Sequence, residues 1–164
     1  MKKIYFIFLL FCSIQLTAQT FRNYSNEFLN IGVDARALGM SKSVAATSND
    51  VNAIYWNPAG LMNLEDYEGS LMHASYFAGI ANYNFAAVAL PIDNKSAIGI
   101  SIIRFGVDDI LNTTELIDNQ GNINFNKISL FSAADYAFTF AYARNLIFKN
   151  MYFGVNAKVI RRVI

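Results

Sequence analysis

Residue types that commonly carry catalysis are sparse in this chain. His73 is its only histidine, and no cysteine lies near it in the sequence. No metal-ligand spacing, Ser-His-Asp arrangement or phosphate-binding loop is present. Asp108 and Asp109 are adjacent carboxylates that could bind calcium, but they fall in a polar segment for which a solvated surface is the simpler interpretation. We therefore expect no enzyme activity, no catalytic residue, no metal site and no cofactor.

The composition argues against nucleic-acid binding and against helical membrane spans. Hydrophobic residues make up 54% of the chain and charged residues 15%, against a typical charged share of about 25%. No uninterrupted apolar run of roughly 18 residues follows the N-terminal stretch, and no basic patch suited to nucleic acid is present. Hydrophobicity that is high but not contiguous must be distributed in alternation, which is typical of β-structure.

Residues 1–18 have the pattern of a secretory signal peptide. Lys2 and Lys3 precede a short apolar run, and Ala18 offers a small residue at the cleavage point. Cys12 could instead indicate a lipoprotein anchor, but Phe11 occupies the position where a small residue should precede a lipidated cysteine. Cleavage after Ala18 removes the only cysteine, so the exported domain must be held together by a large core or by a membrane rather than by disulfides.

The clearest strand pattern is the segment 134–144. Because successive strand side chains point to opposite faces, one face is wholly aromatic and the other is small or polar. The aromatic face consists of Tyr136, Phe138, Phe140 and Tyr142. Phenylalanines bracketed by tyrosines match a lipid-facing stripe with interfacial anchors, whereas alanines and a threonine suit a crowded lumen. The pattern therefore predicts a transmembrane strand whose aromatic residues face lipid.

Other segments alternate in a similar way. Segments 80–90, 96–105 and 151–160 alternate clearly, and segment 69–77 alternates poorly. Tyr83 and Phe85 are interpreted as the counterpart of the aromatic row in 134–144. Lys158 is predicted to point inward, because a lysine facing lipid at the membrane midplane costs about 2–4 kcal/mol. His73 is predicted to be a lumenal or interfacial polar residue.

The connections also fit a membrane barrel. Segments 91–95 and 146–150 are compact, whereas 106–127 is long and polar. Outer-membrane barrels alternate short periplasmic turns with longer extracellular loops, so we expect 106–127 to be extracellular. A soluble β-sandwich is the alternative that these patterns leave open.

The number of predicted strands is too small for closure. Residues 67–164 supply four to five strands, whereas the smallest closed membrane barrels have about eight. An open edge in lipid leaves backbone groups unpaired at a cost of several kcal/mol each. We therefore predict the N-terminal part of a larger barrel, the alternative being a complete short chain that closes a barrel by oligomerising.

The segment 28–64 resembles the start of the PorV/PorQ family of outer-membrane proteins, which belongs to the FadL-like group of barrels. The resemblance rests on DARALGM at 34–40, ATSND at 46–50 and YWNPAGL at 55–61, and segments 82–92, 138–146 and 151–160 are also similar. It covers nearly all of the chain after residue 18. Ser41 and Lys42 depart from the glycine-rich continuation that relatives often have, which weakens assignment to one subfamily.

The resemblance implies an all-β fold in which these residues begin a transmembrane antiparallel barrel of about fourteen strands. Residues 19–66 would form a short helical and looped plug inside the lumen, and 67–164 the first four to five strands. The expected location is the cell outer membrane after Sec-type export.

Structural roles are predicted for the signature residues of the plug, which are Asp34, Arg36, Gly39, Asn49, Asp50, Trp56, Asn57, Pro58 and Gly60. Ser48, Asn49 or Asp50 can cap a short helix through 51–56. Asn57 must leave helical geometry because it precedes Pro58, and Gly60 permits close backbone approach where the chain re-enters the wall. Trp56 is interpreted as a packing anchor. Asp34 and Arg36 are expected to find charged partners on the wall.

Three functions follow from the resemblance. PorV-like members of the type IX secretion system accept cargo with a C-terminal β-domain from the translocon and deliver it for attachment at the cell surface. Segment 106–127 would then belong to the recognition surface. A FadL-like channel would instead pass hydrophobic small molecules beside a mobile plug, and the third possibility is a purely structural barrel. The implied partners are outer-membrane lipid, the secretion translocon and cargo C-terminal domains, without nucleic acid.

Overall fold

A computed structural model describes residues 25–117, 121–146 and 151–164 of the chain. The predicted signal peptide therefore lies outside the described residues, as does most of the compact connection at 146–150. Within the described ranges, no helix is long and apolar enough to cross a membrane.

Five antiparallel strands form one sheet in the order of the chain. They are β1 (Glu68–Tyr76), β2 (Ala81–Asp93), β3 (Ser96–Asn112), β4 (Ser129–Asn145) and β5 (Tyr152–Val163). Each strand pairs with its sequence neighbour. The all-β prediction is confirmed at this level, and the weakly alternating first segment is indeed a strand.

β3 and β4 are longer than the sequence pattern predicts. β3 continues to Asn112, so 106–112 of the segment predicted as a loop at 106–127 are strand, and β4 begins at Ser129, ahead of its alternating pattern at 134–144. A β-bulge between Val107 and Ile110 contains Asp108 and Asp109, and Asp109 adopts a positive φ of 58°. The bulge interrupts the alternation of side chains, which explains why the strand pattern fades at this point. Placing the two aspartates in a polar loop was wrong.

Short helices and turns precede the sheet. They are α1 (Ala35–Gly39), α2 (Ala53–Trp56) and the 3₁₀ helices Glu27–Asn30 and Pro58–Asn63, and two further 3₁₀ turns, Phe77–Gly79 and Phe125–Lys127, lie between strands. The sequence predicted a helix ending at Trp56, and α2 ends there. Asn57 is extended, with φ −158° and ψ 97°, as a residue before proline prefers. We refer to residues 25–66 as the N-terminal segment.

The N-terminal segment packs on one face of the sheet and leaves the other face bare. The covered face carries small buried residues, among them Ala87, Ala89, Ala97, Ala137, Thr139, Ala141 and Ala143. The uncovered face carries apolar side chains that are 47% to 86% exposed, namely Leu71, Val88, Ile100, Phe138, Phe140 and Val159. The core of the molecule thus lies between the N-terminal segment and the covered face.

Tyr83 and Phe85 lie on the covered face, 0% and 2% exposed. Interpreting them as the counterpart of the aromatic row of β4 was wrong, because Phe85 pairs through Ile103 with the buried Ala137 rather than with an aromatic residue. Alternation within one strand separates two faces but does not identify which of them is covered. The pairing register between strands decides that.

Candidate functional site

The first motif of the N-terminal segment builds a capped helix. The Asp34 carboxylate accepts hydrogen bonds from the backbone N–H groups of Arg36 (3.1 Å) and Ala37 (3.2 Å) at the start of α1. Arg36 is exposed, and Gly39 has open space around its α-carbon. Among the described residues neither Asp34 nor Arg36 forms an ion pair. The pairing with charged wall residues is not seen among these five strands and stays a prediction, whereas the Asp34 oxygens serve as the helix cap.

Polar side chains of the second and third motifs also form hydrogen bonds with backbone groups of the N-terminal segment. Asp50 accepts a hydrogen bond from the backbone N–H of Asn52 (2.9 Å) just before α2, whereas Asn49 is exposed. Asn57 accepts from the Ala59 N–H (3.3 Å) at the start of the 3₁₀ helix that begins with Pro58. Its amide nitrogen also donates to the backbone oxygen of residue 45 (2.9 Å). These polar side chains therefore organise turns rather than present themselves to a ligand.

Gly60 is required by a contact inside the N-terminal segment. A Cβ added at this position would overlap the carbonyl oxygen of Ser48 and lie 3.2 Å from the Cβ of Ala53. The close approach predicted for Gly60 is present, but it joins the Pro58–Asn63 turn to the preceding turn rather than to the wall. No larger residue fits there without moving backbone.

Trp56 anchors the two halves of the N-terminal segment. Its indole N–H donates to the Val33 carbonyl at 3.2 Å, and its ring lies 3.1 Å from the position of a Cβ at Gly32. The Tyr55 ring meets it edge-on at 4.7 Å between centroids, and the Tyr55 hydroxyl donates to the Leu29 carbonyl. Burial raises the pKa of the Tyr55 hydroxyl, although a hydrogen bond from the Gly32 backbone opposes this.

Two glycines on the covered face allow the N-terminal segment to touch the sheet backbone. A Cβ at Gly99 of β3 would lie 2.6 Å from Cδ1 of Ile54, and a Cβ at Gly154 of β5 would overlap the backbone of Ala59. Sequence reasoning assigned these glycines no role beyond membership of the small-residue face. A glycine within a strand is the available signal for such an approach.

Polar residues of β5 complete this interface. Asn156 donates a side-chain hydrogen bond to the Ile54 carbonyl at 3.3 Å. The Lys158 ammonium lies 5.2 Å from the centroid of the Tyr55 ring, within cation–π range. Lys158 pairs with the buried Thr139, so the structure places it on the covered face. Asn156 was not singled out from the sequence, because nothing local marks its partner.

Register arranges the uncovered face in rows that cross all five strands. The apolar rows are Gly69, Val88, Ile100, Phe140 and Ala157, and next to them Leu71, Ala86, Ile102, Phe138 and Val159. The following row, here called the polar row, is His73, Asn84, Arg104, Tyr136 and Arg161. Tyr136 and Tyr142 are half-buried, one beyond each end of the Phe138–Phe140 stripe. The face is therefore an apolar band with a polar border on the side of the β3–β4 connection.

Contacts within the polar row fix several of its side chains. Arg104 lies 2.6 Å from Asp108 and 3.3 Å from the Tyr136 hydroxyl. His73 Nδ1 lies 2.7 Å from the side-chain oxygen of Asn84. Within the described part of the chain, no group of three or more His, Cys, Asp or Glu side chains is arranged to hold a metal ion.

Comparison with known proteins assigns no family. No family model, no curated protein and no solved structure matches the chain.

Proposed function

We propose that this chain contributes to the wall of an outer-membrane β-barrel and that residues 25–66 are a plug in its lumen. The observation that carries the proposal is the contrast between the two faces of the sheet. The N-terminal segment covers the alanine-rich face, while Phe138 and Phe140 of the other face are 47% and 51% exposed. An apolar outer face and a filled, small-residue inner face are the arrangement of a membrane barrel wall.

A soluble β-sandwich would show the same alternation along its strands, but it would bury the opposite face of the sheet. Its core would bury the phenylalanines and isoleucines, and its wet face would carry larger polar groups than alanine. Here Ile100, Phe138 and Phe140 belong to one contiguous apolar band, and such bands on a soluble monomer mark a surface that something else covers. Lipid covers the whole band at once, which supports the barrel.

Within this architecture we assign the chain a PorV/PorQ-type role in type IX secretion, as a component that receives cargo and passes it on for surface attachment. The assignment rests on the resemblance of segment 28–64. The polar residues of the motifs serve the fold of the N-terminal segment, since Asp34, Asp50 and Asn57 all bond backbone groups. Cargo recognition is therefore assigned to the barrel rim and to the connection at 113–128.

Passage of hydrophobic small molecules, as in FadL-like channels, is the alternative. It requires a plug that moves away from the wall. The contacts of Ile54 with Gly99 and of Ala59 with Gly154 favour a fixed plug, because close-packed surfaces separate only at the cost of their mutual contacts. A purely structural barrel is compatible with a fixed plug and is separated from the secretion role only by experiment.

The test is deletion of the gene followed by comparison of secreted and surface proteins by mass spectrometry. Loss from the surface of proteins that carry the C-terminal sorting domain, with rescue by the wild-type gene, is the expected result. A variant in which 113–128 is replaced by a short turn should assemble in the membrane but fail to rescue. Normal secretion with lost uptake of a long-chain fatty acid would establish transport instead, and normal secretion with normal uptake would leave a structural barrel.

A further inference from the structure

The polar row lies where the uncovered face changes from apolar to polar, and we propose that it binds the phosphate of a lipid headgroup. The inference rests on the barrel proposed above. His73, Asn84, Arg104, Tyr136 and Arg161 are in direct cross-strand register, so they form a line across the sheet rather than a scattered set. A row of this kind can contact a membrane surface along its whole length.

The distance from the apolar band suits a headgroup. Tyr136 precedes Phe138 by two residues on the same face of β4, which corresponds to about 7 Å along a strand. The polar row thus begins one side-chain repeat beyond the last apolar row. Tyrosine is typical of this boundary, since its ring is apolar and its hydroxyl is polar.

Arg104 is held in an orientation that leaves donors available. A guanidinium carries five N–H donors, and the contacts of Arg104 with Asp108 and Tyr136 use only part of this set. Its side chain is 27% exposed. Asp108 therefore positions the guanidinium without enclosing it, and a fixed arginine fork is well suited to bind a phosphate through two parallel hydrogen bonds.

Arg161 supplies the second cation. It is exposed, and among the described residues it has no hydrogen-bond or ion-pair partner. It lies on the other side of Tyr136, two strand spacings from Arg104, or about 10 Å between backbones. Two long arginine side chains at that spacing can meet at one phosphate or take two neighbouring ones. Asp108 is the carboxylate in contact with Arg104, so its one negative charge leaves the two arginines with a net positive charge.

The neighbouring arginine of β5 differs from Arg161 in having a carboxylate partner. Arg162 lies on the covered face and binds both carboxylate oxygens of Asp135, at 2.7 and 3.1 Å. At the opposite end of the apolar band, Arg144 contacts the Tyr142 hydroxyl at 3.4 Å. Arg144 and Arg162 are therefore matched controls, one on the same face at the other border and one on the same strand pointing inward.

The experiment measures lipid binding to the full-length protein purified in non-ionic detergent. Native mass spectrometry would compare lipid A that carries its phosphates with the dephosphorylated form. We expect the wild-type protein to bind the phosphorylated form at least about tenfold more tightly, as charge-assisted hydrogen bonds to phosphate predict. The Arg104→Gln/Arg161→Gln double variant should lose this preference, and Arg144→Gln should keep it.

A single Arg161→Gln variant controls for misfolding, because this side chain has no partner to lose among the residues that the structure describes. It should weaken the preference on its own. Equal wild-type binding of both lipid forms, or an unchanged preference in both variants, would overturn the inference. Competition by inorganic phosphate at the lipid concentration would also overturn it, since the site would then bind free anions.

Membrane extraction with alkaline carbonate separates this result from failure of the barrel proposal. A protein that stays in the membrane pellet but shows no phosphate preference contradicts only the headgroup site. A protein that carbonate releases contradicts the barrel itself, and the headgroup site with it.

Discussion

At the scale of single residues, Tyr55 joins Trp56 and the rest of the N-terminal segment to the sheet. Its ring contacts Trp56 and lies beneath the Lys158 ammonium, and its hydroxyl donates to the Leu29 carbonyl. Ionisation of this hydroxyl would remove the donated hydrogen bond. It would also place a buried negative charge in the N-terminal segment, which is the physical reason for its raised pKa.

Alkaline pH should therefore loosen the N-terminal segment through Tyr55. Because the folded-state pKa lies above the unfolded value, the unfolded form loses its proton first, and stability falls as the pH rises beyond about 10. Acrylamide quenching of Trp56 should increase over this range in the wild type, and Tyr55→Phe should shift or abolish the transition. An identical transition in the phenylalanine variant would contradict the role of Tyr55.

Residue roles that depend on neighbours in the sequence could be predicted, and roles that depend on distant partners could not. The extended conformation of Asn57 follows from Pro58 alone, and one of three polar candidates, Asp50, does bond a free N–H before α2. Asp34 obeys the same capping chemistry, but its charge favoured an ion-pair interpretation over a cap. The partner of Asn156 lies 102 residues away, and no local pattern indicates it.

At the scale of elements, the interface between the N-terminal segment and β5 depends on the absence of a side chain at Gly154. Gly154→Ala should destabilise it by about 1–3 kcal/mol, the usual cost of overpacking, because the added Cβ meets backbone at Ala59. Gly69→Ala on the uncovered face is the matched control, since its nearest neighbour would be 3.8 Å away. Protease sensitivity of the N-terminal segment measures both.

Gly154→Ala should speed cleavage within residues 25–66. Gly69→Ala should leave the cleavage rate close to that of the wild type, because an ordinary surface substitution changes the free energy of unfolding by less than about 0.5 kcal/mol. Equal rates for the two variants would show that the contact at β5 contributes nothing to retention of the segment.

The strands themselves could be predicted because a two-residue alternation is a strong local signal. Their ends and faces could not be predicted as well. β3 continues beyond its alternating pattern at the bulge around Asp108. The pattern of β2 assigned Tyr83 and Phe85 to the uncovered face, whereas they lie on the covered one. Both errors concern pairing between strands, which the pattern within one strand does not encode.

At the scale of the whole molecule, the barrel proposal predicts that an arginine lowers folding stability by different amounts at two positions of the uncovered face. Phe140→Arg places a cation within the apolar band and should lower folding stability in lipid vesicles by about 2–4 kcal/mol. Ser75→Arg lies beyond the polar row and should cost about 0–1 kcal/mol. Guanidinium unfolding of vesicle-inserted protein measures the difference.

A soluble domain would respond differently. An arginine at the exposed Phe140 would then cost no more than one at Ser75, and it would improve solubility in buffer without lipid or detergent. That result would contradict the barrel and restore the sandwich alternative.

The hydrogen bond between Asn156 and Ile54 also constrains the order of assembly. It joins positions 102 residues apart, and contacts that close long loops form slowly because of their entropic cost. The N-terminal segment is synthesised before the sheet, yet the surface on which it packs includes Gly154, Asn156 and Lys158 of β5. The part of the chain made first is thus among the last to be fixed, and a chaperone that escorts this protein would need to hold it with that segment still undocked.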